Sequence, residues 1–194
     1  MTKNAKNKYL SRFAELAKLG EIVFHSDDLA NLWHITNKNT LYTTLKRYIE
    51  QGLLFRIYKG FYSIKPPAKI DPLLLGTKAL HGYSYVSAES ILAEAGMIQQ
   101  EVPAVTLISG KTKKFSIADR RYYCRKLADK FLYQQNGIIM AENGVRKATR
   151  ERAMADLLYF NPHAYVDASS AVDWKKVRIL QKELGYRFTS KHYG

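Results

Sequence analysis

The 194-residue chain carries 31 Lys and Arg against 17 Asp and Glu, a formal charge of +14, and 46% of its residues are apolar. That apolar fraction excludes a globally disordered chain, and the length is enough for one large or two small domains. The single cysteine, Cys124, excludes an intramolecular disulfide and a cysteine cluster for zinc, while the charge favours a polyanionic partner: DNA, RNA or an anionic membrane surface.

Met1 to Lys8 is polar and basic, which is not the pattern of a secretory signal, and no run reaches the length of a transmembrane helix. With the lone cysteine, this leads to the expectation of a cytoplasmic protein without a membrane partner. Tyr9, Phe13, Leu16 and Leu19, with Leu10 and Ala17 beside them, recur at helical spacing up to Gly20. Ile22-Val23-Phe24 reads as a short strand. Ser26 is a good N-cap, and Asp27 and Asp28 suit the positive end of a helix that carries Leu29, Leu32 and Trp33. His34-Ile35-Thr36 then connects to a second helix.

That second helix runs to a stop at Gly52, with Leu41, Leu45, Tyr48 and Ile49 on one apolar face. Asn39, Thr40, Thr43, Lys46 and Arg47 fall on other faces. Those side chains are what a major-groove reader needs: Asn pairs with adenine, Arg and Lys with guanine, and Thr reaches a base edge or a thymine methyl. An ordinary amphipathic helix with a solvated polar face would look the same, so the neighbours decide.

Beyond Gly52 the period changes to two. Leu53 to Tyr58 reads as a strand, Lys59-Gly60 as a tight turn and Phe61 to Ile64 as the returning strand. Helix, short strand, helix, turn, helix, hairpin is the order of a winged helix-turn-helix, in which Arg56, Tyr58 and Lys59 on the wing would contact the DNA backbone. Trp33, Tyr48, Phe55, Phe61 and Tyr62 read as core.

Pro66-Pro67 breaks all periodicity and places a boundary between a DNA-binding domain, residues 1–66, and a C-terminal domain, residues 67–194. The first holds 11 basic and 5 acidic residues and the second 20 and 12, so both are basic. In the second, a helix is expected from Pro72 through Leu73, Leu74, Leu75 and Leu80 to near Gly82, then a strand at 83–86. A helix from Ser87 carries Glu89, Ser90, Ile91, Leu92 and Ala95 to Gly96. Strands follow at 102–108, 115–117, 122–127 and 137–140, with a basic turn at 111–114. Thr149 caps a helix through Phe160, ended by Pro162, and Asp173 starts a last helix ended by Gly185. The expected fold is α+β: an N-terminal winged helix-turn-helix followed by a mixed α/β domain.

Lys111, Lys113, Lys114, Arg120, Arg121, Arg125 and Lys126 form the second domain's main candidate surface, which could add phosphate contacts to DNA, bind RNA, or be solvated. Arg152 and Asp156, four apart, read as a structural pair on one helical face beside Glu151. They offer no nucleophile or metal cluster, and Cys124 has no recognisable histidine partner. His25, His34, His81, His163 and His192 show no ligand spacing, and no glycine loop precedes a lysine in a phosphate-binding pattern. No metal, no cofactor and no enzymatic activity are expected.

Several segments together resemble the AbiEi family of antitoxins from bacterial type IV toxin–antitoxin and abortive-infection (phage-defence) systems. They are Ile57-Tyr58-Lys59-Gly60-Phe61-Tyr62, Tyr85-Val86-Ser87-Ala88-Glu89-Ser90 with Ala95-Gly96, Val105-Thr106-Leu107-Ile108, 148–158, and Val172-Asp173-Trp174-Lys175-Lys176-Val177. Each is short; their order over nearly the whole chain carries the likeness. The resemblance implies a DNA-binding transcriptional repressor that acts on inverted repeats in its own promoter, often cooperatively. It also implies an antitoxin that counteracts a nucleotidyltransferase-like toxin without a stable complex, with that activity in the C-terminal domain. A monomer on each half-site fits the sequence as well as a dimer. An RNA-binding or toxin-binding module with no sequence-specific DNA role is the alternative.

Overall fold

The computed structural model describes residues 3–187, with side chains from Ser11 onward. Tyr9 and Leu10 therefore lie outside the described side chains, and His192 outside the described residues. The chain divides into two compact units, Met1–Ile70 and Asp71–Gly194. It is an α+β fold with one antiparallel and one mixed sheet.

The first unit contains α1 (Lys3–Lys18), β1 (Val23–His25), α2 (Ser26–Leu32), α3 (Lys38–Glu50), β2 (Phe55–Tyr58) and β3 (Phe61–Ser63). Its sheet order is β1-β3-β2, antiparallel throughout, with Phe24 opposite Tyr62 and Phe55 opposite Ser63. Leu16, Phe24, Leu29, Trp33, Ile35, Leu41, Leu45, Tyr48, Leu54 and Tyr62 form one buried cluster. Each such large side chain is worth about 1.5–3 kcal/mol when taken out of water.

Three local expectations are corrected. Leu19 lies beyond the end of α1 and stays 52% exposed. His25, not Ser26, caps α2, because β1 runs straight into the helix and Ser26 is already its first residue; the His25 N–H donates to Asp28 Oδ2 at 3.2 Å. Leu53 and Leu54 do not begin the strand. Both their N–H groups donate to the Tyr48 carbonyl, at 2.9 and 3.3 Å, closing α3 around the left-handed Gly52.

The second unit contains α4 (Pro72–Lys78), β4 (Ser84–Val86), α5 (Glu89–Glu94), β5 (Val105–Ser109), β6 (Lys113–Ile117) and β7 (Arg120–Lys126). After these come α6 (Asp129–Leu132), β8 (Ile138–Met140), β9 (Arg146–Ala148), α7 (Arg150–Phe160) and α8 (Trp174–Leu184). The sheet order is β6-β7-β5-β4-β9-β8. The β4–β9 and β5–β7 pairs are parallel and the others antiparallel. The packing of α4 against Tyr122 and Leu107 is so close that a β-carbon on Gly76 would lie 2.4 Å from the Tyr122 ring. On the opposite face, α7 packs through Arg152 and Asp156 onto Tyr85, and α8 packs on α7.

Here α4 ends before Leu80, which sits in a tightened last turn, and α5 stops one residue short of Ala95. The strand expected from Val102 starts at Val105, beyond Pro103, which has no N–H to give a ladder. Lys113 and Lys114 belong to β6 rather than to a turn. Neither α6, one turn long, nor β9, with its polar Arg146-Lys147, was legible as an apolar pattern. Thr149, Asp173 and Gly185 cap their helices as expected: Thr149 and Asp173 accept from Arg152 and Lys176, and Gly185 is left-handed.

Candidate nucleic-acid interface

The start of α3 is fixed by Asn37, whose side chain accepts from the Thr40 N–H at 3.1 Å. Leu41, Thr44, Leu45 and Tyr48 are buried, and the Thr44 hydroxyl donates to the Thr40 carbonyl at 2.8 Å. Asn39, Thr40, Thr43, Lys46 and Arg47 are all exposed. Lys46 and Glu50 approach to 3.8 Å, an exposed pairing worth little in water.

The hairpin closes with Tyr58 opposite Phe61 across Lys59-Gly60, and Gly60 takes φ +83°, which a side chain would resist. Its tip is tied down by the Ser26 N–H, which donates to the Gly60 carbonyl at 2.9 Å. His25 stacks on Phe61 at 4.6 Å. Arg56 and Lys59 are exposed. Tyr58 differs from them: it is half-buried against Phe61, with ring centroids 5.1 Å apart, and burial pushes its phenol up. It supports the hairpin more than it presents a donor.

A groove of about 580 Å³ separates α3 from the hairpin, lined by Tyr42, Leu45, Lys46, Ile49, Glu50, Arg56, Lys59 and Tyr62. It brings Lys46 of the helix together with Arg56 and Lys59 of the hairpin. Asn39, Thr40, Thr43 and Arg47 lie outside it. Tyr42, 43% exposed, was missed by the sequence reading. Its position one turn before Lys46 was the available signal. The Tyr62 phenol is raised by burial, against the lowering effect of Arg56 and with a smaller contribution from Tyr42, so these groups share one field.

The C-terminal basic set is divided. Strand alternation puts Lys114, Arg121, Tyr123 and Arg125 on one face and Lys113, Arg120 and Lys126 on the other, with Lys111 in the preceding loop. Arg125 is not an open surface cation. It pairs with Glu89 and lies between the rings of Tyr123 and Phe160, 5.3 and 5.4 Å away. Lys114 sits 5.0 Å over Tyr123, beside a groove of about 440 Å³ that also takes in Pro103, Ala104, Ser116 and Arg121.

Arg152 and Asp156 are fully buried and pair at 3.0 Å. Asp156 also accepts from Ser87 Oγ (2.7 Å) and the hydroxyls of Tyr85 (3.1 Å) and Tyr186 (2.7 Å). Arg152 donates to Tyr85 Oη and to the carbonyls of Gln134 and Asn136. Burial and the Asp156 charge push both phenols well above their ordinary range. Burial alone would lower the Arg152 pKa, but Asp156, Tyr85 and Tyr186 together more than offset it. Such a closed network holds β4, α7 and the segment before β8 together. Cys124 is likewise enclosed: it bonds Ser109 at 3.0 Å, and burial pushes its thiol up.

Among the described residues no three His, Cys, Asp or Glu side chains gather as a metal site. Nor is any described helix long and apolar enough to cross a membrane. No family model matches the sequence. No curated protein matches it either. Among solved structures, the chain is similar to the RV2827C protein from Mycobacterium tuberculosis, at 12% identity and a TM-score of 0.53, over 93% of this chain and 73% of that one. At that identity the likeness is one of fold.

Proposed function

We propose that the first unit is a winged helix-turn-helix that binds double-stranded DNA, with α3 in the major groove and the β2–β3 hairpin as the wing. The observation that carries this reading is the groove in which Lys46, Arg56 and Lys59 converge beside the exposed polar face of α3. A helix of this width fits the major groove, and cations on a hairpin beside it fall where the phosphate backbone runs. Asn39, Thr40, Thr43 and Arg47 read bases; Lys46, Arg56 and Lys59 hold backbone, with Tyr42 between them.

The AbiEi resemblance extends the proposal to a cytoplasmic autorepressor and antitoxin. In that role the chain binds inverted repeats upstream of its own gene and opposes a nucleotidyltransferase-like toxin without a lasting complex. The proposal assigns no reaction and no cofactor to the chain. It is tested by gel shift of the full chain on its upstream region against a scrambled duplex of equal length at physiological salt. Preferential binding with a stepwise second shift supports it; equal binding to both duplexes ends the operator reading.

A second reading rests on the groove beside Lys114, Arg121 and Tyr123, where cations and an aromatic ring share an open sheet face. That chemistry suits single-stranded nucleic acid. Tight binding of an RNA competitor that leaves DNA binding unaffected would favour it.

A further inference from the structure

The two tyrosines of α3 are placed differently. Tyr48 is fully buried, whereas Tyr42 stands 43% exposed. Tyr42, Leu45, Lys46 and Ile49 fall at i, i+3, i+4 and i+7, so they form the stripe of α3 that faces the groove toward the hairpin. Leu45 and Ile49 make that wall apolar; Lys46 and the Tyr42 hydroxyl are its donors.

The opposite wall holds Arg56, Lys59 and Tyr62, with Arg56 and Tyr62 paired across β2 and β3. The Tyr62 phenol is lowered by Arg56 and raised by Tyr42, so the Tyr42 hydroxyl lies on the hairpin side of α3. The Tyr62 oxygen is already bonded by the Gly60 backbone. The Tyr42 hydroxyl makes no hydrogen bond among the described residues. In the second unit Tyr83, Tyr85, Tyr122 and Tyr186 all have theirs satisfied inside the fold.

Charge is uneven along this groove. Glu50 is the one acidic residue among those lining it, and it lies 3.8 Å from Lys46. It sits about 12 Å further along the helix axis than Tyr42. An anion is repelled from the Glu50 end and is best placed near Tyr42 and Arg56.

We infer that Tyr42 donates its hydroxyl to a DNA phosphate, on the backbone strand that passes between α3 and the hairpin. The inference rests on the DNA-binding reading, but not on the existence of an operator. A helix in the major groove with a hairpin beside it leaves one backbone strand between the two. Lys46, Arg56 and Lys59 supply attraction there. Tyr42 supplies a donor on a stiff ring, held at little cost in conformational entropy, which fixes how α3 sits against that strand. A phenol differs from a lysine in one measurable respect. It is neutral, so its phosphate contact adds affinity without displacing a counterion, and it carries no sequence information.

The test is fluorescence anisotropy with the full chain on the upstream duplex and on a scrambled duplex, over a range of salt concentrations. Wild type, Tyr42→Phe and Tyr42→Lys are compared, with thermal melts to show that the exposed substitutions leave the fold intact. Tyr42→Phe is expected to lose about tenfold in affinity on both duplexes alike, with an unchanged salt slope. Tyr42→Lys is expected to regain affinity at low salt and to steepen the slope by about one counterion, which a purely structural role would not do. Tyr42→Phe binding like wild type overturns the inference. So does a loss confined to the upstream duplex, which would make Tyr42 a base reader, or a Tyr42→Lys slope equal to that of wild type. Equal wild-type affinity for both duplexes ends only the operator reading, and the variants still decide the role of Tyr42. A wild type that binds neither duplex ends the DNA-binding reading and this inference with it.

Discussion

The α3–hairpin surface and the Arg152 cluster use the same residue types to opposite ends. In the cluster, Arg152 and Asp156 are fully buried and bonded to each other, to Tyr85 and Tyr186, and to backbone carbonyls. On α3 and the hairpin, Lys46, Arg56 and Lys59 are exposed and converge on a groove. Charge alone therefore does not mark a binding site; what matters is whether the fold has already satisfied it. Arg125 makes the point within a single strand, since it belonged to the basic set by sequence yet is occupied by Glu89 and two rings.

The largest expected effect comes from breaking the satisfied side of this comparison. Arg152→Ala leaves Asp156 buried without its counterion and is expected to cost about 3–5 kcal/mol. Denaturant unfolding reads this out, and an Arg152→Met/Asp156→Leu pair should recover much of it. On the exposed side, Arg47→Ala should leave stability unchanged within about 0.5 kcal/mol. It should remove roughly 1–3 kcal/mol of discrimination between operator and scrambled DNA.

Tyr122 supplies a pH test of the buried side. Its hydroxyl donates to the Pro72 carbonyl at 2.9 Å, and burial pushes it up to about 12 from 10.0. A raised folded pKa means this stabilisation is complete below 10 and is lost as pH rises through 12. Tyr122→Phe should cost about 1 kcal/mol at neutral pH and shorten that alkaline limb, followed by unfolding across the range. Lys59→Ala should weaken binding to every sequence alike and reduce the salt slope by about one counterion. An altered sequence preference with an unchanged slope would contradict the wing assignment.

The first unit was the more legible from sequence because its signals are local. The α3 periodicity, the Lys59-Gly60 turn and the change of period after Gly52 each act over a few residues. What failed there was boundaries, where Leu53 and Leu54 serve the helix end, and Tyr42, whose exposure depends on where the hairpin lies. In the second unit the parallel β4–β9 and β5–β7 pairs join residues far apart in sequence, and no local pattern announces them. The division of the basic set between two faces follows from the β6–β7 register, which the sequence reading lacked because it placed Lys113 and Lys114 in a turn. The β6–β7 turn itself carries Ala118 and Asp119 at φ +47° and +62°, where Asn and Gly are the usual residues. Ala118→Asn is expected to raise stability by less than about 1 kcal/mol, the smallest change predicted, measurable by thermal melt.

The most direct test of the central claim is the ratio of affinities for the chain's own upstream duplex and a scrambled duplex. It is measured by fluorescence anisotropy at physiological salt in the wild type and Arg47→Ala. Wild-type preference for the upstream duplex that falls about tenfold or more in Arg47→Ala, with both proteins equally stable, is the predicted result. Equal affinity of the wild type for both duplexes would contradict the claim that the exposed face of α3 reads sequence.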